Sequence, residues 1–326
     1  MKALVTGATG FIGSHLVEAL VERGVHVRCL VRDKRRLGWV KDSPVEFVEG
    51  NCQEKDSLEK AVKEVDQIFH LAGVTAAVKE KTYFEVNTLG TDNLVRACIE
   101  NNTHIQKLVH VSSQAAAGPL RSGGKKKESD PCEPVSPYGK SKLLGEALAL
   151  SHSSELPIVI LRPCAVYGPR DKGFYALCKC LSKGIKPCFS HHDQYISMCY
   201  VQDLVQGILL AAETRTENRE IFFLSDGQDY RMEEIGDIFS QAMGKSTLRI
   251  RLPKQILFGM AFLSEWFSRI SGKPSILSRG KVDEMILKNW LCDITKARVQ
   301  LGFEPRMTLA RGAELTVDWY KKENWL

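Results

Sequence analysis

Short apolar runs alternate with amphipathic stretches through the first two thirds of the chain. The runs are rich in Val, Ile and Leu, which is typical of strands buried on both faces of a parallel sheet. We predict seven such strands, at residues 2–6, 25–31, 45–49, 67–71, 107–111, 158–161 and 221–224. Stretches with helical periodicity separate them, at residues 14–23, 56–64, 83–101, 140–151, 174–183 and 203–214. This alternation predicts an α/β fold with a doubly wound parallel sheet.

Beyond residue 226 the pattern becomes mainly helical, with predicted helices at residues 232–243, 253–270, 278–288, 294–301 and 309–320. We therefore expect a larger domain of residues 1–170, to which 201–225 returns, and a smaller, mainly helical C-terminal substrate lobe of residues 171–200 and 226–326. No repeat or low-complexity linker separates them, so we expect the lobe to pack on the domain.

Two stretches allow more than one interpretation. Residues 253–270 are rich in large apolar side chains and could contact a membrane, roof an apolar substrate pocket or pack into the small lobe; we favour packing. The loop Pro119–Pro137 is rich in Gly, Pro, Ser and Lys, and we expect it to be exposed and mobile, as a lid would be. We interpret Lys125–Lys127 within it as a solvated charge run.

Composition narrows the class of protein. Of 326 residues, 44% are hydrophobic and 26% are charged, which is ordinary for a soluble globular protein, and no apolar run is long enough to predict an integral membrane segment. The net charge of +6 comes from Lys and Arg spread along the chain, so we expect no nucleic-acid partner. The ten cysteines include no CxxC pair and indicate free thiols in a reducing cytoplasm. His191-His192-Asp193 lacks a spaced partner of matching type, so we predict no metal site.

A glycine-rich turn is the first functional signal. Gly7, Gly10 and Gly13 stand three apart, directly between the first strand and the first helix. In that context glycines allow a tight turn and let the backbone approach a pyrophosphate at the helix N-terminus. The turn predicts that the sheet is a Rossmann-type dinucleotide-binding sheet.

The end of the second strand bears on the choice of cofactor. An acidic residue there binds the ribose 2′-hydroxyl of NAD, whereas a nearby arginine accepts the 2′-phosphate of NADP. Val31 and Arg32 occupy this position, the basic run Lys34–Arg36 follows, and we interpret Asp33 as the start of a turn. We therefore predict NADP as the cofactor, with NAD as the alternative.

Tyr138 and Lys142 are the second functional signal. They are four residues apart on a predicted helix and therefore share one face. An ammonium favours a nearby phenolate, so we expect Lys142 to lower the pKa of Tyr138 and the pair to exchange a proton with a hydroxyl or carbonyl.

Ser113 follows the fifth strand, at the sheet edge where α/β proteins bind ligands. Asn87 is a mid-helix polar residue that is either exposed or turned toward the cofactor.

Together these motifs resemble the extended short-chain dehydrogenase/reductase family, which includes nucleotide-sugar epimerases, 3β-hydroxysteroid dehydrogenases and dihydroflavonol reductases. The matching segments are TGATGFIG at 6–13, FHLAG at 69–73, VNTLGTDNL at 86–94, VSSQAAAG at 111–118, SPYGKSK at 136–142, LRPCAVYGPRD at 161–171 and CDITKARVQLGFEP at 292–305. The resemblance covers nearly the whole chain. As a set the motifs are specific for the family but not for a substrate.

The resemblance implies roles for individual residues. Tyr138 would donate or accept the proton, Lys142 would also bind the nicotinamide ribose, and Ser113 would hydrogen-bond the reacting oxygen. Asn87 would support the network on the cofactor side, and two long helices, 83–101 and 138–151, would form a homodimer interface. The residues expected to contact the cofactor are Gly7, Thr9, Gly10, Phe11, Ile12, Gly13, Arg32, Asn51, Cys52, Leu71, Ala72, Gly73, Ser112, Tyr138, Lys142, Pro163 and Val166.

Departures from the family pattern guide the choice of reaction. Gln114 and Ala115 stand where dehydrating relatives carry an Asp-Glu pair, Asn51 stands where many relatives have Asp, and Ser190–Cys199 contains no Arg to meet a nucleotide phosphate. We predict an NAD(P)-dependent oxidoreductase whose substrate is a fairly apolar small molecule. By hydride transfer to or from NADP(H), it would interconvert a secondary alcohol and a ketone, or reduce an aldehyde. A nucleotide-sugar epimerase and a non-catalytic NADP-binding protein are the alternatives.

Overall fold

The centre of the fold is a seven-stranded sheet. The structure, a computed structural model, describes residues 1–120, 123–188, 194–275, 277–287 and 289–326. The strands of the sheet are β1 (Lys2–Thr6), β2 (His26–Val31), β3 (Glu46–Glu49), β4 (Gln67–His70), β5 (Lys107–Val111), β6 (Ile158–Pro163) and β11 (Glu220–Leu224). They pair in parallel in the order β11-β6-β5-β4-β1-β2-β3. The order reverses between β1 and β4, where such sheets bind ligands, and the predicted doubly wound Rossmann-type fold is confirmed.

Helices cover both faces of this sheet. The first half of the chain forms α1 (Phe11–Glu22), α2 (Lys55–Val62), α3 (Glu80–Tyr83), α4 (Gly90–Asn101), α5 (Gln114–Ala117) and α6 (Pro137–Ser151), and α8 (Val201–Glu213) follows later. One core cluster contains side chains of α1 and α8, such as Leu16 and Ile208. The other contains side chains of α2, α4 and α6, such as Leu58, Leu94 and Ala149.

The helix predicted at 83–101 is not regular. Between α3 and α4 the backbone forms a π-helical segment at Phe84–Leu89, which contains Asn87. Single π-helical turns are rare and occur frequently at functional sites. Gly145 of α6 crosses this segment so closely that a Cβ there would lie 2.4 Å from the Asn87 carbonyl oxygen.

The smaller lobe has more strands than we predicted. Its elements are β7 (Ala165–Tyr167), α7 (Lys172–Ser182), β8 (Ile185–Cys188), β9 (Tyr195–Ile196), β10 (Met198–Tyr200), β12 (Tyr230–Arg231), α9 (Met232–Ala242), β13 (Leu248–Arg251), α10 (Lys254–Ser271), α11 (Arg279–Met285), β14 (Asn289–Trp290), α12 (Thr295–Leu301) and α13 (Leu309–Lys322). These extra strands are two to four residues long, too short for a periodic pattern. Buried Tyr167, Tyr200 and Phe239 are central to the lobe's core.

The predicted boundary at residue 226 stays a prediction. Ile294, Ala297 and Leu301, at the start of and within α12, belong to the core cluster of the large sheet, although they follow that boundary by about 70 residues. The C-terminal part of the chain therefore packs on both the sheet and the lobe.

Most described residues of the loop Pro119–Pro137 are exposed or half-buried, as predicted, but the interpretation of its basic run as solvated is wrong at Lys126. Lys126 is 2% exposed, and its backbone N–H and carbonyl pair with Leu291 and Asp293 at 2.9 Å each. Its Nζ donates to the Pro131 carbonyl at 2.7 Å. A lysine in a basic run was expected to be solvated, but the amphipathic side chain can be buried when its ammonium is hydrogen-bonded.

Helix α10 also departs from expectation, because we favoured packing for its apolar residues. Only Leu257, Ala261 and Ser268 are buried. Leu257 and Ala261 form a small cluster with Val282 of α11, separate from the lobe's main core. The large apolar side chains on the opposite side of α10 are exposed.

Candidate active site

The start of α6 brings the predicted Tyr138 and Ser113 together. Pro137 occupies the first turn of the helix, and Ser136 caps it by accepting the Gly139 N–H at 3.0 Å. This cap explains why the helix begins three residues earlier than predicted. Ser113 caps the short helix α5 by accepting the Ala115 N–H at 3.1 Å, and its hydroxyl also hydrogen-bonds Tyr138.

Burial controls the ionisation of Tyr138. The side chain is half-buried in the site, and its desolvation raises the pKa of the Tyr138 phenol to about 12, which the hydrogen bond from Ser113 opposes. The Glu284 carboxylate of α11 and the Tyr83 phenol act in the same direction as burial and also raise this pKa. The lowered pKa that we predicted from the tyrosine-lysine spacing is therefore wrong. In this chain Tyr138 is a protonated phenol at neutral pH.

Lys142 lies one turn further along α6, on the same face. It is 4% exposed, and its Nζ donates to the Val111 carbonyl at the end of β5 at 2.9 Å. Burial lowers the pKa of Lys142 to about 8, and the Glu146 carboxylate opposes this shift. An ammonium has three N–H donors, so Lys142 can hold β5 and still donate to a ligand.

A buried ion pair anchors the next turn of α6. Arg162, in β6, donates from Nε and Nη2 to the Glu146 carboxylate at 2.6 to 3.2 Å, and both side chains are at most 3% exposed. Bidentate arginine–carboxylate pairs fix orientation as well as charge. This pair therefore holds the Tyr138-Lys142 face of α6 against the end of β6.

Asn87 is buried, so the interpretation of it as an exposed residue is excluded. Its Oδ1 accepts the Val74 N–H at 2.8 Å, and its Nδ2 donates to the Val74 carbonyl and to Ser141 Oγ at 3.0 Å each. Asn87 thus ties the loop after β4 to α6. It is a positioning residue at the back of the site.

The sequence analysis missed the role of His70. Its Nδ1 lies 2.7 Å from Thr6 Oγ1 and its Nε2 lies 2.9 Å from Thr91 Oγ1. Thr6 also accepts the Ala72 N–H at 3.2 Å, and Thr91 donates to the Asn87 carbonyl at 2.8 Å. Burial lowers the pKa of His70 to about 3, so the ring is neutral. The donors and acceptors in this chain match if Nε2 of His70 carries the proton, because Nε2–H then donates to Thr91 and Nδ1 accepts from Thr6.

His70 therefore links β1, β4 and the π-helical segment through a continuous chain of hydrogen bonds. The FHLAG motif contains His70, but the partners lie in two other segments of the chain. A residue pattern along one strand does not reveal which hydroxyls meet an imidazole.

The glycine turn between β1 and α1 has the backbone geometry that a pyrophosphate requires. Gly7 has a φ of +75°, and a Cβ there would lie 2.6 Å from the Leu71 carbonyl carbon. A Cβ on Gly13 would lie 2.2 Å from the Gly7 oxygen. Gly10, the N-cap of α1, carries no side-chain cap, so the first N–H groups of the helix are available to an anion.

The other candidate cofactor residues follow the carboxyl ends of neighbouring strands, on the same edge of the sheet. Thr9, Phe11 and Ile12 form the partly exposed rim of the turn. Pro163 ends β6 and Val166 lies in β7. The remaining candidates follow β2, β3, β4 and β5, and are Arg32, Asn51, Cys52, Leu71, Ala72, Gly73 and Ser112.

The side chains of Asn51 and Ser112 differ in whether they already have hydrogen-bond partners within the protein. The Asn51 side chain is committed to a local turn, because it accepts the Gln53 N–H at 2.7 Å and donates to Glu54. Ser112 is buried, and its hydroxyl has no hydrogen-bond partner among the described residues. A buried orphan hydroxyl at this edge of the sheet, next in the chain to the Val111 carbonyl that Lys142 contacts, fits a bound dinucleotide.

At the end of β2, Asp33 behaves as the predicted turn former. It accepts the Arg35 backbone N–H at 2.9 Å and forms an ion pair with the Arg35 side chain. The Arg36 guanidinium lies 3.7 Å from the same carboxylate, while Arg32 is exposed.

Two further expectations concern metal binding and the segment Ser190–Cys199. His191, His192, Asp193 and Ser190 lie outside the described residues. Within the ranges that the structure describes, no group of three His, Cys, Asp or Glu side chains could hold a metal ion. From Gln194 the chain is described, and Gln194 donates to the Leu287 carbonyl at 3.1 Å, which ties this segment to α11.

Comparison with known proteins decides the family. The sequence profile of the NAD dependent epimerase/dehydratase family matches residues 3–224, which include the glycine turn, Ser113, Tyr138 and Lys142. The chain belongs to this family. It is an extended short-chain dehydrogenase/reductase, as the resemblance of its motifs implied, and the relatives that it matches are named as reductases and epimerases.

The relatives include reductases and sugar-nucleotide epimerases. The chain is 27% identical over 325 residues to a 4-hydroxy-2-methyl-3-oxo-4-farnesyl-3,4-dihydroquinoline-1-oxide ketoreductase of Stigmatella aurantiaca (96% of this chain, 95% of the relative). It is 29% identical to a ceramide reductase of Caulobacter vibrioides (99% of this chain, 95% of the relative). A solved structure of UDP-glucuronic acid 4-epimerase from Bacillus cereus with NAD superposes with a TM-score of 0.81 at 27% identity, covering 99% of both chains.

Proposed function

We propose that this family member is an NADPH-dependent carbonyl reductase, which converts a ketone or aldehyde on an apolar small molecule to an alcohol. One observation carries the proposal. Burial raises the pKa of Tyr138 to about 12, so at neutral pH its hydroxyl is protonated, beside the Ser113 hydroxyl. A protonated phenol beside a second hydroxyl can donate a proton to a developing alkoxide, which is the proton transfer that carbonyl reduction requires.

Each residue of the site would have its own role in carbonyl reduction. Ser113 would hydrogen-bond the substrate carbonyl oxygen, and Tyr138 would donate its proton to that oxygen as the C=O bond becomes C–OH. Lys142, with a pKa of about 8, would hold a positive charge near the resulting phenolate below that pH. When bound, the nicotinamide would supply the hydride to the carbonyl carbon. Asn87 would keep the loop after β4 and α6 in place around the reacting atoms.

The chain also offers controls for testing this proposal. Tyr138→Phe is expected to lower kcat for NADPH-dependent carbonyl reduction by about 10²- to 10⁴-fold, with the Kd for NADPH unchanged. Tyr83→Phe is the matched control, because its ring lies 6.2 Å from that of Tyr138 but its hydroxyl accepts the Ala77 N–H at 3.2 Å. We expect Tyr83→Phe to lose less than about tenfold, the cost of one hydrogen bond. Equal losses in the two variants would contradict the role of Tyr138.

The preference for NADP rests on the charges after β2. Arg35 and Arg36 neutralise Asp33, and Arg32 is exposed, so an incoming 2′-phosphate would meet net positive charge. The similar UDP-glucuronic acid 4-epimerase from Bacillus cereus binds NAD, so the preference is tested by comparing the two cofactors. Arg32→Ser is expected to raise the Kd for NADPH about tenfold or more and to leave the Kd for NADH unchanged. Arg215→Ser, another exposed arginine, is the control, and equal Kd values for NADPH and NADH in the wild type would refute the preference.

A nucleotide-sugar epimerase is the second candidate, favoured by the similarity to UDP-glucuronic acid 4-epimerase over the whole chain. Epimerisation re-reduces the same carbon, so it consumes no cofactor in total. The two reactions are separated by incubating the enzyme with NADPH and a panel of ketones, and in parallel with NAD and UDP-sugars. Loss of NADPH absorbance supports the reductase, whereas sugar epimers formed without net cofactor turnover support the epimerase. Cofactor binding with neither reaction, in wild type and Tyr138→Phe alike, would leave a non-catalytic NADP-binding protein.

We also propose a homodimer and a cytoplasmic location. Leu89, beside α4, and Leu144, on α6, are 53% and 48% exposed, on the two helices that the family resemblance assigned to dimerisation. Sedimentation that shows only monomer at micromolar concentration would exclude the dimer. The cytoplasmic location is supported by the ten cysteines, all of which are free thiols. Localisation of the tagged chain to an oxidising compartment would contradict it.

A further inference from the structure

The outer face of α10 is a continuous apolar surface. We define this face by seven side chains that are 46–67% exposed, which are Ile256, Met260, Phe262, Leu263, Trp266, Phe267 and Ile270. At 100° per residue they cover roughly 160° of the helix circumference. The inner face of the same helix packs on α11. Single exposed apolar residues are ordinary, but a patch of this size marks an interaction surface.

The positive charge of the protein is concentrated around this face. Residues 245–282 contain eight Lys and Arg but one acidic residue, Glu265, and this leaves 37 Lys and Arg against 38 Asp and Glu in the rest of the chain. The Lys and Arg are spread along the chain, as predicted, and the local excess of positive charge comes from the scarcity of acidic residues in this segment. Glu265 is ion-paired with Arg279 at 2.9 Å. Exposed cations lie near both ends of α10, and are Arg251, Lys254, Arg269 and Lys273.

We propose that the outer face of α10 docks onto the surface of an anionic lipid bilayer. An apolar helix face bordered by lysine and arginine lies in the headgroup region, with its apolar side chains in the acyl boundary and its cations on anionic headgroups. Trp266 and the two phenylalanines are suited to that boundary. Among the described residues, no helix is long and apolar enough to cross a membrane, so α10 would lie on the bilayer.

Charge disfavours a second copy of the chain as the occupant. A two-fold interface places the same patch on both subunits. Two copies of the 245–282 region would bring together segments that each carry eight basic residues and one acidic residue, and like charges across an interface are unfavourable. An anionic bilayer supplies the opposite charge.

Helix α11 connects the outer face of α10 to the candidate active site. Val282 of α11 packs on the inner face of α10, and Glu284 of α11 accepts a hydrogen bond from Ser136, two residues before Tyr138. A Cβ on Gly280 would lie 3.1 Å from Pro137 Cδ. Docking would therefore place the active site on the protein side of α10, with α11 between them. The docking itself does not depend on the reaction that the site catalyses.

Flotation of the purified full chain with vesicles tests the proposal. We expect the wild type to float with vesicles that contain phosphatidylglycerol, to float far less with pure phosphatidylcholine, and to be released by high salt. Leu263→Gln/Phe267→Gln is expected to weaken binding at least tenfold, because both side chains lose their apolar contact. Lys254→Gln and Lys273→Gln should each weaken it about fivefold.

Val299→Gln is the matched control, because Val299 of α12 is 78% exposed but lies outside α10. It should bind vesicles as the wild type does, and thermal melting should show that all variants are folded. Quenching of tryptophan fluorescence by brominated lipid should be lost in Trp266→Gln. Three results would overturn the proposal: no flotation of the wild type on anionic vesicles, equal flotation of Leu263→Gln/Phe267→Gln, or an oligomer in solution that this double variant dissociates while lipid binding stays absent.

Discussion

Helices α6 and α10 are of similar length but differ in which side chains they bury: α6 buries polar residues, and α10 exposes large apolar ones. Helix α6 buries Ser141, Lys142 and Glu146, and each of them has a hydrogen-bonding partner. Helix α10 leaves seven large apolar side chains exposed. Polar groups are normally outside and large apolar patches are normally covered. Both helices depart from this arrangement, and α11 contacts α10 on one side and the start of α6 on the other.

The comparison teaches that the two departures have different energetic consequences. Buried charges on α6 are costly to desolvate, and their partners are needed for stability. Exposed apolar residues on α10 cost the isolated protein little, because their environment hardly changes on unfolding. Mutations on α6 should therefore affect folding, whereas mutations on the outer face of α10 should affect only association.

The sharpest test of this difference is the buried ion pair. Arg162→Met leaves the Glu146 carboxylate buried without its partner, and we expect it to lower the free energy of unfolding by about 3–5 kcal/mol. The control is Arg23→Met, which breaks the exposed pair between Arg23 and Glu213 and should change stability by less than about 1 kcal/mol. Urea denaturation measures both variants. Equal effects would show that the end of β6 is not held by the pair.

The two faces of α10 provide the next test. Leu257 on the inner face is 2% exposed, so Leu257→Ala should destabilise the protein by about 2–5 kcal/mol, at the lower end because its cluster is small. Leu263→Ala on the outer face should change stability by no more than about 0.5 kcal/mol. If both variants destabilise the protein equally in urea, the outer face is covered in solution.

The His70 network should show a smaller effect. His70→Leu leaves the Thr6 and Thr91 hydroxyls without their imidazole partner, and we expect a loss of about 1–3 kcal/mol. His104→Leu is the control because His104 is exposed. Thermal unfolding compares the two. An unchanged melting temperature in His70→Leu would mean that water replaces the ring without cost.

The pH dependence gives the smallest change. The pKa of Lys142 is lowered to about 8, so the ammonium loses its charge as the pH rises through 8. We expect kcat/KM for carbonyl reduction to decline above that pH. Lys142→Arg keeps its charge at every accessible pH, so the decline near pH 8 should vanish even though the rate below it is reduced. A decline near pH 8 that persists in Lys142→Arg would assign the titration to another group.

Much of the fold follows from local sequence. The strands of the large sheet are short apolar runs, and the spacing of Gly7, Gly10 and Gly13 defines the turn after β1. The positions of Ser113 and Tyr138 were predictable because one follows a strand end and the other starts a helix. Local pattern and three-dimensional position agree wherever both depend on a few adjacent residues.

Features that depend on distant residues were not predictable. The basic neighbours of Lys126 in sequence predict a solvated side chain, yet the backbone of Lys126 pairs with Leu291 and Asp293. The pKa of Tyr138 depends on its depth of burial and on Glu284, which no tyrosine-lysine spacing reveals. The exposure of α10 depends on what packs beside it. In each case the physical cause lies on another segment of the chain or in the amount of water around a side chain.

The pairing of Lys126 with the segment after β14 has a consequence for synthesis of the protein on the ribosome. The nearby contact between Asn289 and the Gly124 carbonyl joins residues 165 positions apart. The loop that leads from Ser113 to Tyr138 therefore reaches its final path only when roughly the last tenth of the chain is being translated, long after the glycine turn is complete. We expect nascent or prematurely terminated chains to contain the dinucleotide turn but not an assembled proton donor, so that they do not oxidise cofactor.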